Sequence, residues 1–198
     1  MFTLDLIVKM RHMAKENNKF PEESKRLEEL YDDDQHIRIH GDFTDIHTNL
    51  EMAAKDLVHQ AELEKILDKI GLPSHENISE KAAETVWLIA QHAGYDKKLM
   101  KRVLELMRET MKNDPSNGYY KGIPYLIDRI NIMEGKDQLF GTQFWANPEG
   151  TPTPYPIEDE EKVENRRKKY GIRPFADYKK DVFEASSSNK RNVYLILY

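Results

Sequence analysis

Four short stretches of the chain place polar side chains where the surrounding apolar pattern calls for an interior or its edge. "DDDQHIR" holds Asp34, Gln35 and Arg38, and "QH", Gln91 and His92, follows directly on the apolar residues 87–90. "DR", Asp128 and Arg129, interrupts an apolar helical pattern. The stretch "EGKDQLFGTQFWANPEG", residues 134–150, sets Gln138, Thr142 and Gln143 among Phe140, Phe144 and Trp145 around one Gly-Thr, an unusual composition for a surface linker. Groups of this kind buried without partners are costly, so they are expected to meet one another, water or a ligand. The economical expectation is that all four stretches converge on one polar pocket.

The residue types then suggest chemistry. His92 alone in the set has an ordinary pKa near neutrality and is the natural acid or base. Asp128 or Asp34 would orient it or bind a substrate cation, and Arg129 and Arg38 would hold an anion through planar forks. Glutamine both donates and accepts, which suits an amide, a base or a sugar. The expected catalytic residues are therefore His92 and Asp128. The expected substrate contacts are Asp34, Gln35, Arg38, Gln91, Arg129, Gln138, Thr142 and Gln143. His36 and His40 beside "DDD" match neither a calcium loop nor a zinc motif, and no phosphate loop, nucleophile elbow or dinucleotide fingerprint is present, so neither a metal nor a cofactor is expected.

Each residue also has a structural alternative. His92 in a last helical turn would favour the helix C-terminal dipole. Asp128 and Arg129 lie about 100° apart on a helix, so each needs an outside partner. Gln138 and Gln143 can satisfy loop backbone, Gly141 supplies a positive φ, and the three aromatics can simply pack. "ENRRKK", set among Glu160, Glu161 and Glu164, has the composition of a solvated helix face.

At 198 residues, 39% hydrophobic and 33% charged, the chain suits one domain with a small appendage. A net charge of -5 argues against a nucleic-acid partner. The absence of cysteine excludes disulfides, thiolate metal sites and a cysteine nucleophile. No apolar run is long enough for a membrane span and no signal peptide is evident, so a soluble, cytoplasmic protein is expected.

Helical spacing recurs along most of the chain. A short helix is expected over residues 2–17. A second opens at Pro21 and yields to charge and Gly41 in "DDDQHIRIHGD". A long one is capped by Thr44 or Asp45 and runs to Ile70, marked by Ile46, Leu50, Ala53, Ala54, Leu57, Val58 and Ala61, with Gly71 and Pro73 ending it. Further helices start at Ser79, Asp96 and Pro124. "NPEGTPTPYP" should be extended, "IEDEEKVENRRKKYG" a charged and mostly exposed helix, "SSSNKRN" flexible, and "RNVYLILY" a short strand or docked tail. The expected fold is mainly α: a single helical domain of six or seven helices over residues 1–178, and an appendage over 179–198.

Taken together, "DDDQHIR", "WLIAQHAGYD", "YLIDRINIMEGKDQLFGTQ" and "VENRRKKYGIRPFADY" resemble a family of bacterial domains of unknown function. Its pattern runs D-Q-x-x-R, Q-H-A-D, D-R, then G-x-x-Q-x-x-G-T-Q and a late R-R…G-L. The resemblance spans residues 30–178 and carries Asp34, Gln35, Arg38, Gln91, His92, Asp128, Arg129, Gln138, Gly141, Thr142 and Gln143. The sequence departs at Gly94, where the family has Asp, with Asp96 the nearest carboxylate. The resemblance implies a shared polar site and names no reaction.

Two functions are compatible with these residues. One is an enzyme, a hydrolase or group transferase, acting on a small polar, anionic molecule. The other is an interaction protein in which the polar residues form a buried network and a protein partner docks on the C-terminal region. A pocket reached by His92 favours the first, and a sealed network the second.

Overall fold

The structure, a computed structural model, describes residues 18–73, 77–94, 96–113 and 121–188. The helix expected over residues 2–17 and the strand or tail over 191–198 lie outside the described residues. Those described form a mainly α fold of seven α-helices and one small hairpin: α1 Pro21–His40, α2 Ile46–Ile70, α3 Glu80–His92, α4 Lys97–Asn113, α5 Ile123–Met133, β1 Phe144–Ala146, β2 Pro152–Pro154, α6 Val163–Lys169 and α7 Phe175–Ser188.

Helix α1 begins where Pro21 is expected to start it, with Glu22 and Glu23 in its first turn. It does not break at the acidic run, as the sequence suggests, but continues to His40. The three aspartates project to different sides, where each meets a cation or a histidine. Asp32 pairs with Lys81, Asp33 with Lys55 and His59, and Asp34 with Arg38 and His92. With its charges satisfied and Ile37 buried, the segment has no reason to leave the helix. Gly41 follows, at a point where a Cβ would lie 2.5 Å from the Ile37 carbonyl oxygen.

Asp45 caps α2 by accepting the His47 N–H, and Gly71 follows its end with φ 69°. The apolar spacing correctly marks α2 as a helix, yet that stripe is not the buried face. Ile46, Leu50, Leu57 and Val58 are 56–64% exposed, while Asp56, His59, Gln60, Leu63, Ile66 and Leu67 turn inward. Ser79 caps α3 by accepting the Ala82 N–H, and Asp96 caps α4 by accepting those of Lys98 and Leu99.

Helices α1 to α5 enclose one core. Leu27 and Leu30 of α1, Val86 and Ile89 of α3, Met100 and Met107 of α4, and Ile123 and Leu126 of α5 are among its members. Burial of such side chains contributes roughly 1.5–3 kcal/mol each. A second, smaller cluster joins Phe144, Val163, Phe175 and Val182. It ties the hairpin to α6 and α7. The Pro-rich segment is extended only in its second part: residues 147–150 form a turn, and the chain then runs back as β2, pairing Phe144 with Pro154, Trp145 with Thr153 and Ala146 with Pro152. Helix α7 runs through the boundary expected at 178/179 and includes Ser186 and Ser188 of the segment expected to be flexible.

Candidate functional site

A cavity of about 270 Å³ lies between the end of α3, the middle of α5, the Gly-Thr loop and α7. Trp87, Leu88, Gln91 and His92 line it from α3, Tyr125 and Arg129 from α5, Thr142 from the loop, and Tyr178, Asp181, Val182 and Ala185 from α7. Three of the four polar stretches thus meet at one place.

The fourth stretch reaches the cavity through His92. The ring Nδ1 lies 2.9 Å from Oδ1 of Asp34 on α1. Both residues are buried, Asp34 completely. Arg38, one turn further along α1, donates Nε–H to the same carboxylate at 3.0 Å and reaches Asp56 of α2 at 2.6 Å. Gln35 donates to the other oxygen of Asp34 at 2.8 Å. Asp34, Gln35 and Arg38 therefore stand behind the cavity wall and do not line the cavity.

This arrangement sets the protonation states. Burial works to raise the Asp34 pKa, but the opposing pull of His92, Arg38 and Gln35 prevails and keeps the carboxyl ionised. Burial pushes the His92 pKa below its ordinary value, with the positive charges of Arg38 and Arg129 adding to the effect against the Asp34 carboxylate. The ring is therefore neutral near pH 7, with the Nδ1 proton donated to Asp34 and Nε2 left as the basic nitrogen. Burial also raises the Asp56 pKa to about 6, aided by the nearby Asp34 and opposed by Arg38.

Asp128 plays a different part from the one expected. It is fully buried, it is not among the cavity-lining residues, and it accepts the N–H groups of Leu139, Phe140 and Thr142 and the hydroxyl of Thr142. Its partner is thus neither a substrate nor another helix, but the loop. Burial raises its pKa, and the four donors oppose this. The loop carbonyls are held from the other side: Arg166 donates to Leu139 and Arg167 to Phe140. Gln138 closes the turn from within, donating to the Gln143 and Tyr155 carbonyls and accepting the Gln143 N–H at 2.9 Å. The Gln143 side chain donates to Thr142 Oγ1 at 3.0 Å. Gln138 and Gln143 are buried in this network and do not line the cavity. At the apex, Gly141 has φ 67° and packs so closely that a Cβ would lie 2.6 Å from the Phe175 ring.

Sequence reasoning missed the aromatic and α7 walls. Tyr125 abuts Trp87 with ring centroids 5.8 Å apart and meets Tyr178 edge-on at 6.2 Å. Tyr178, Val182 and Ala185 follow helical spacing, a signal hidden by placing a boundary at 178/179. Arg167 was also missed. It sits in a basic run, between Arg166 and Lys168, yet is completely buried, stacked over Tyr178 at 5.0 Å. Asp96, the nearest carboxylate to Gly94, serves as a helix cap.

Asp34, Asp56 and His59 place ligand atoms within 4.8 Å of one another, the one group of metal-ligand type among the described residues. Arg38 already bridges the two carboxylates, so a cation there would have to displace a paired guanidinium. The cavity itself offers a different donor set. Gln91, only 8% exposed, lines it with a side-chain oxygen that has no hydrogen-bond partner. Together with the neutral imidazole, the Arg129 guanidinium and three aromatic rings, it can receive a flat molecule with an N–H donor and a negative charge. No helix among the described residues is long and apolar enough to cross a membrane. Comparison of the chain with protein-family models, curated proteins and solved structures finds no match.

Proposed function

We propose that the chain is an enzyme, a hydrolase or group transferase, that acts on a small anionic molecule with His92 as its general base. The observation that carries this reading is the pair Asp34–His92. A buried carboxylate fixes Nδ1 of a neutral imidazole whose ring forms part of a cavity wall. An aspartate in that position selects the tautomer and stabilises the imidazolium that forms when Nε2 takes a proton. In the reaction, Nε2 removes the proton of a water or hydroxyl nucleophile as it attacks an acyl or phosphoryl centre. The same proton then passes to the leaving group, which restores the neutral ring.

Arg129 would bind the anionic group, and Gln91 would accept an N–H from the substrate. Trp87, Tyr125 and Tyr178 would cover its flat part. A volume of about 270 Å³ favours a single ring system with a short substituent over anything larger. The resemblance of the four motifs to one bacterial family fits a site of this kind, because its shared residues are those that build the dyad and the loop.

The test is a thermal-shift and calorimetric screen of aromatic and heteroaromatic carboxylates and aryl phosphates, against wild type and the variants Gln91→Leu, Arg129→Lys and His92→Ala. Binding by wild type, weakened at least tenfold in the first two, supports the recognition half. Turnover of the bound compound, lost in His92→Ala, supports the catalytic half. Binding without turnover of any ester, anhydride or amide relative would leave a binding protein and sink the enzyme reading.

The loop favours a second reading for part of the original set. Gln138 and Asp128 bond to loop backbone, and the Gln143 side chain and Asp128 both meet the Thr142 hydroxyl. We assign them to positioning the loop.

A further inference from the structure

Over its first four turns, helix α2 is amphipathic with its apolar side out, and only beyond them do apolar residues, Leu63, Ile66 and Leu67, face the core. Its inner face carries Asp56, His59 and Leu63, tied to α1 through the pairs Arg38–Asp56 and His59–Asp33. The outer face carries Ile46, Leu50, Ala53, Ala54, Leu57, Val58 and Ala61, all exposed. At about 100° per residue these seven cover roughly 140° of the helix surface. Beyond Ala61 the same face turns charged, with Glu64, Lys65 and Asp68. The apolar surface is thus bounded in length, and no described element covers it.

The order of residues along this stripe indicates its occupant. Ile46, Leu50, Ala53 and Leu57 follow the alternating four-and-three spacing of a helix-pairing seam. Read in the opposite direction, the stripe matches itself at its central residues, with Val58 at its margin facing Asn49 of the partner subunit. With an antiparallel copy centred between Ala53 and Ala54, Leu50 falls opposite the partner's Leu57, Ile46 opposite the partner's Ala61, and Ala53 opposite the partner's Ala54. Leucines meet on either side of the centre, each Ile46 covers an alanine further out, and the small residues at the centre allow the backbones to approach. That is the self-complementarity that a two-fold interface requires, and an unrelated partner would have no need of it. The inner ion pairs hold the helix in place beforehand, so association would cost little additional ordering.

We propose that the outer face of α2 is a homodimer interface, in which two copies of this chain pack their α2 helices antiparallel about a two-fold axis at Ala53 and Ala54. The surface is separate from the cavity, none of whose lining residues belongs to α2.

The test uses the full chain. Sedimentation at about 100 µM should give twice the chain mass of 23.3 kDa, and Leu50→Glu, with unchanged circular dichroism, should return it to one chain mass. The register has its own test because the chain contains no cysteine. Oxidised Leu50→Cys/Leu57→Cys should form covalent dimers. Leu50→Cys alone should not, because its counterpart in the partner lies roughly 10 Å further along the axis, beyond disulfide reach. A chain that is monomeric at every concentration overturns the proposal, as does a dimer unaffected by Leu50→Glu. Failure of the double variant to cross-link, or cross-linking by the single one, overturns the antiparallel register.

Discussion

Asp34 on α1 and His92 on α3 are 58 residues apart in sequence, and their side chains meet at 2.9 Å, carboxylate oxygen to imidazole Nδ1. Arg38 donates to the same carboxylate oxygen. Replacing Asp34 by Asn keeps the shape, removes the charge and offers the ring a donor where it needs an acceptor. We expect Asp34→Asn to lower stability by about 3 kcal/mol or more, since Arg38 loses a buried partner. Once an activity is in hand, the rate should drop by roughly 10²- to 10⁴-fold, the usual contribution of a positioned acid or base. Urea denaturation and steady-state kinetics measure the two effects separately. Unchanged stability would remove the charge network from the account.

The neutral state of His92 has a pH signature. Its folded pKa lies below the ordinary 6.5, so as pH falls through that value the unfolded chain takes up the proton first. The contribution of His92 to stability is present above about pH 6.5 and is lost as pH falls toward its lower folded value. Asp56 acts in the opposite sense. Its folded pKa is raised from 3.8 to about 6, so the stability linked to it is present below 3.8 and is lost as pH rises through 6. Comparing pH 7.5 with pH 6, wild type should lose stability toward pH 6, and His92→Gln should lose less. Chemical denaturation of both proteins at the two pH values gives the answer, and equal slopes would mean that His92 is not held neutral.

Asp128 accepts four donors from one loop, and Asn can accept only with its single carbonyl oxygen. Asp128→Asn should cost about 2–4 kcal/mol, since it places an amide N–H₂ against backbone N–H groups and leaves them unpaired in a buried site. Hydrogen exchange should report the loss locally, as faster exchange at Leu139, Phe140 and Thr142. Protection unchanged at those three amides would contradict the anchoring role.

Gly141→Val tests the turn itself. The substituted residue must hold φ 67° and place its Cβ against the Phe175 ring. We expect a loss of about 2–4 kcal/mol, with the hairpin and α7 loosened together, because Phe175 belongs to the cluster that joins them. The fall in Tm and the near-ultraviolet signal of the aromatic residues record it. A variant as stable as wild type would mean that the loop can turn without a glycine.

The elements legible in the sequence were those with local causes. Pro21, Asp45, Ser79 and Asp96 mark helix starts through chemistry that acts within one turn, and the structure has a helix beginning at each. The polar stretches were legible as a group because apolar neighbours made their burial expensive, and His92, Gln91, Arg129 and Thr142 do meet. What the sequence did not show depended on distant partners. Nothing near Asp32, Asp33 and Asp34 shows that Lys81, Lys55 and His92 will receive them, so the local pattern ends the helix too early. Nothing in the stripe of α2 distinguishes a face turned to the core from one turned to solvent, since spacing reports a helix and not its rotation. Arg167 looked solvated because its acceptors, the Phe140 and Arg173 carbonyls, are backbone atoms that no side-chain pattern reveals.

The hairpin has a bearing on how the molecule can associate. In its antiparallel register the Tyr155 and Asn147 N–H groups point inward, to the Gln143 and Thr151 carbonyls. Alternation along the ladder then makes Thr153 an inward position and 152 and 154 outward ones. Both outward positions are proline, so the free edge of β2 offers no N–H to an approaching strand. A third strand would find acceptors but no donors, and half of its own carbonyls would go unmet. The sheet therefore ends at β2, and chains brought together at high concentration cannot extend it from that edge.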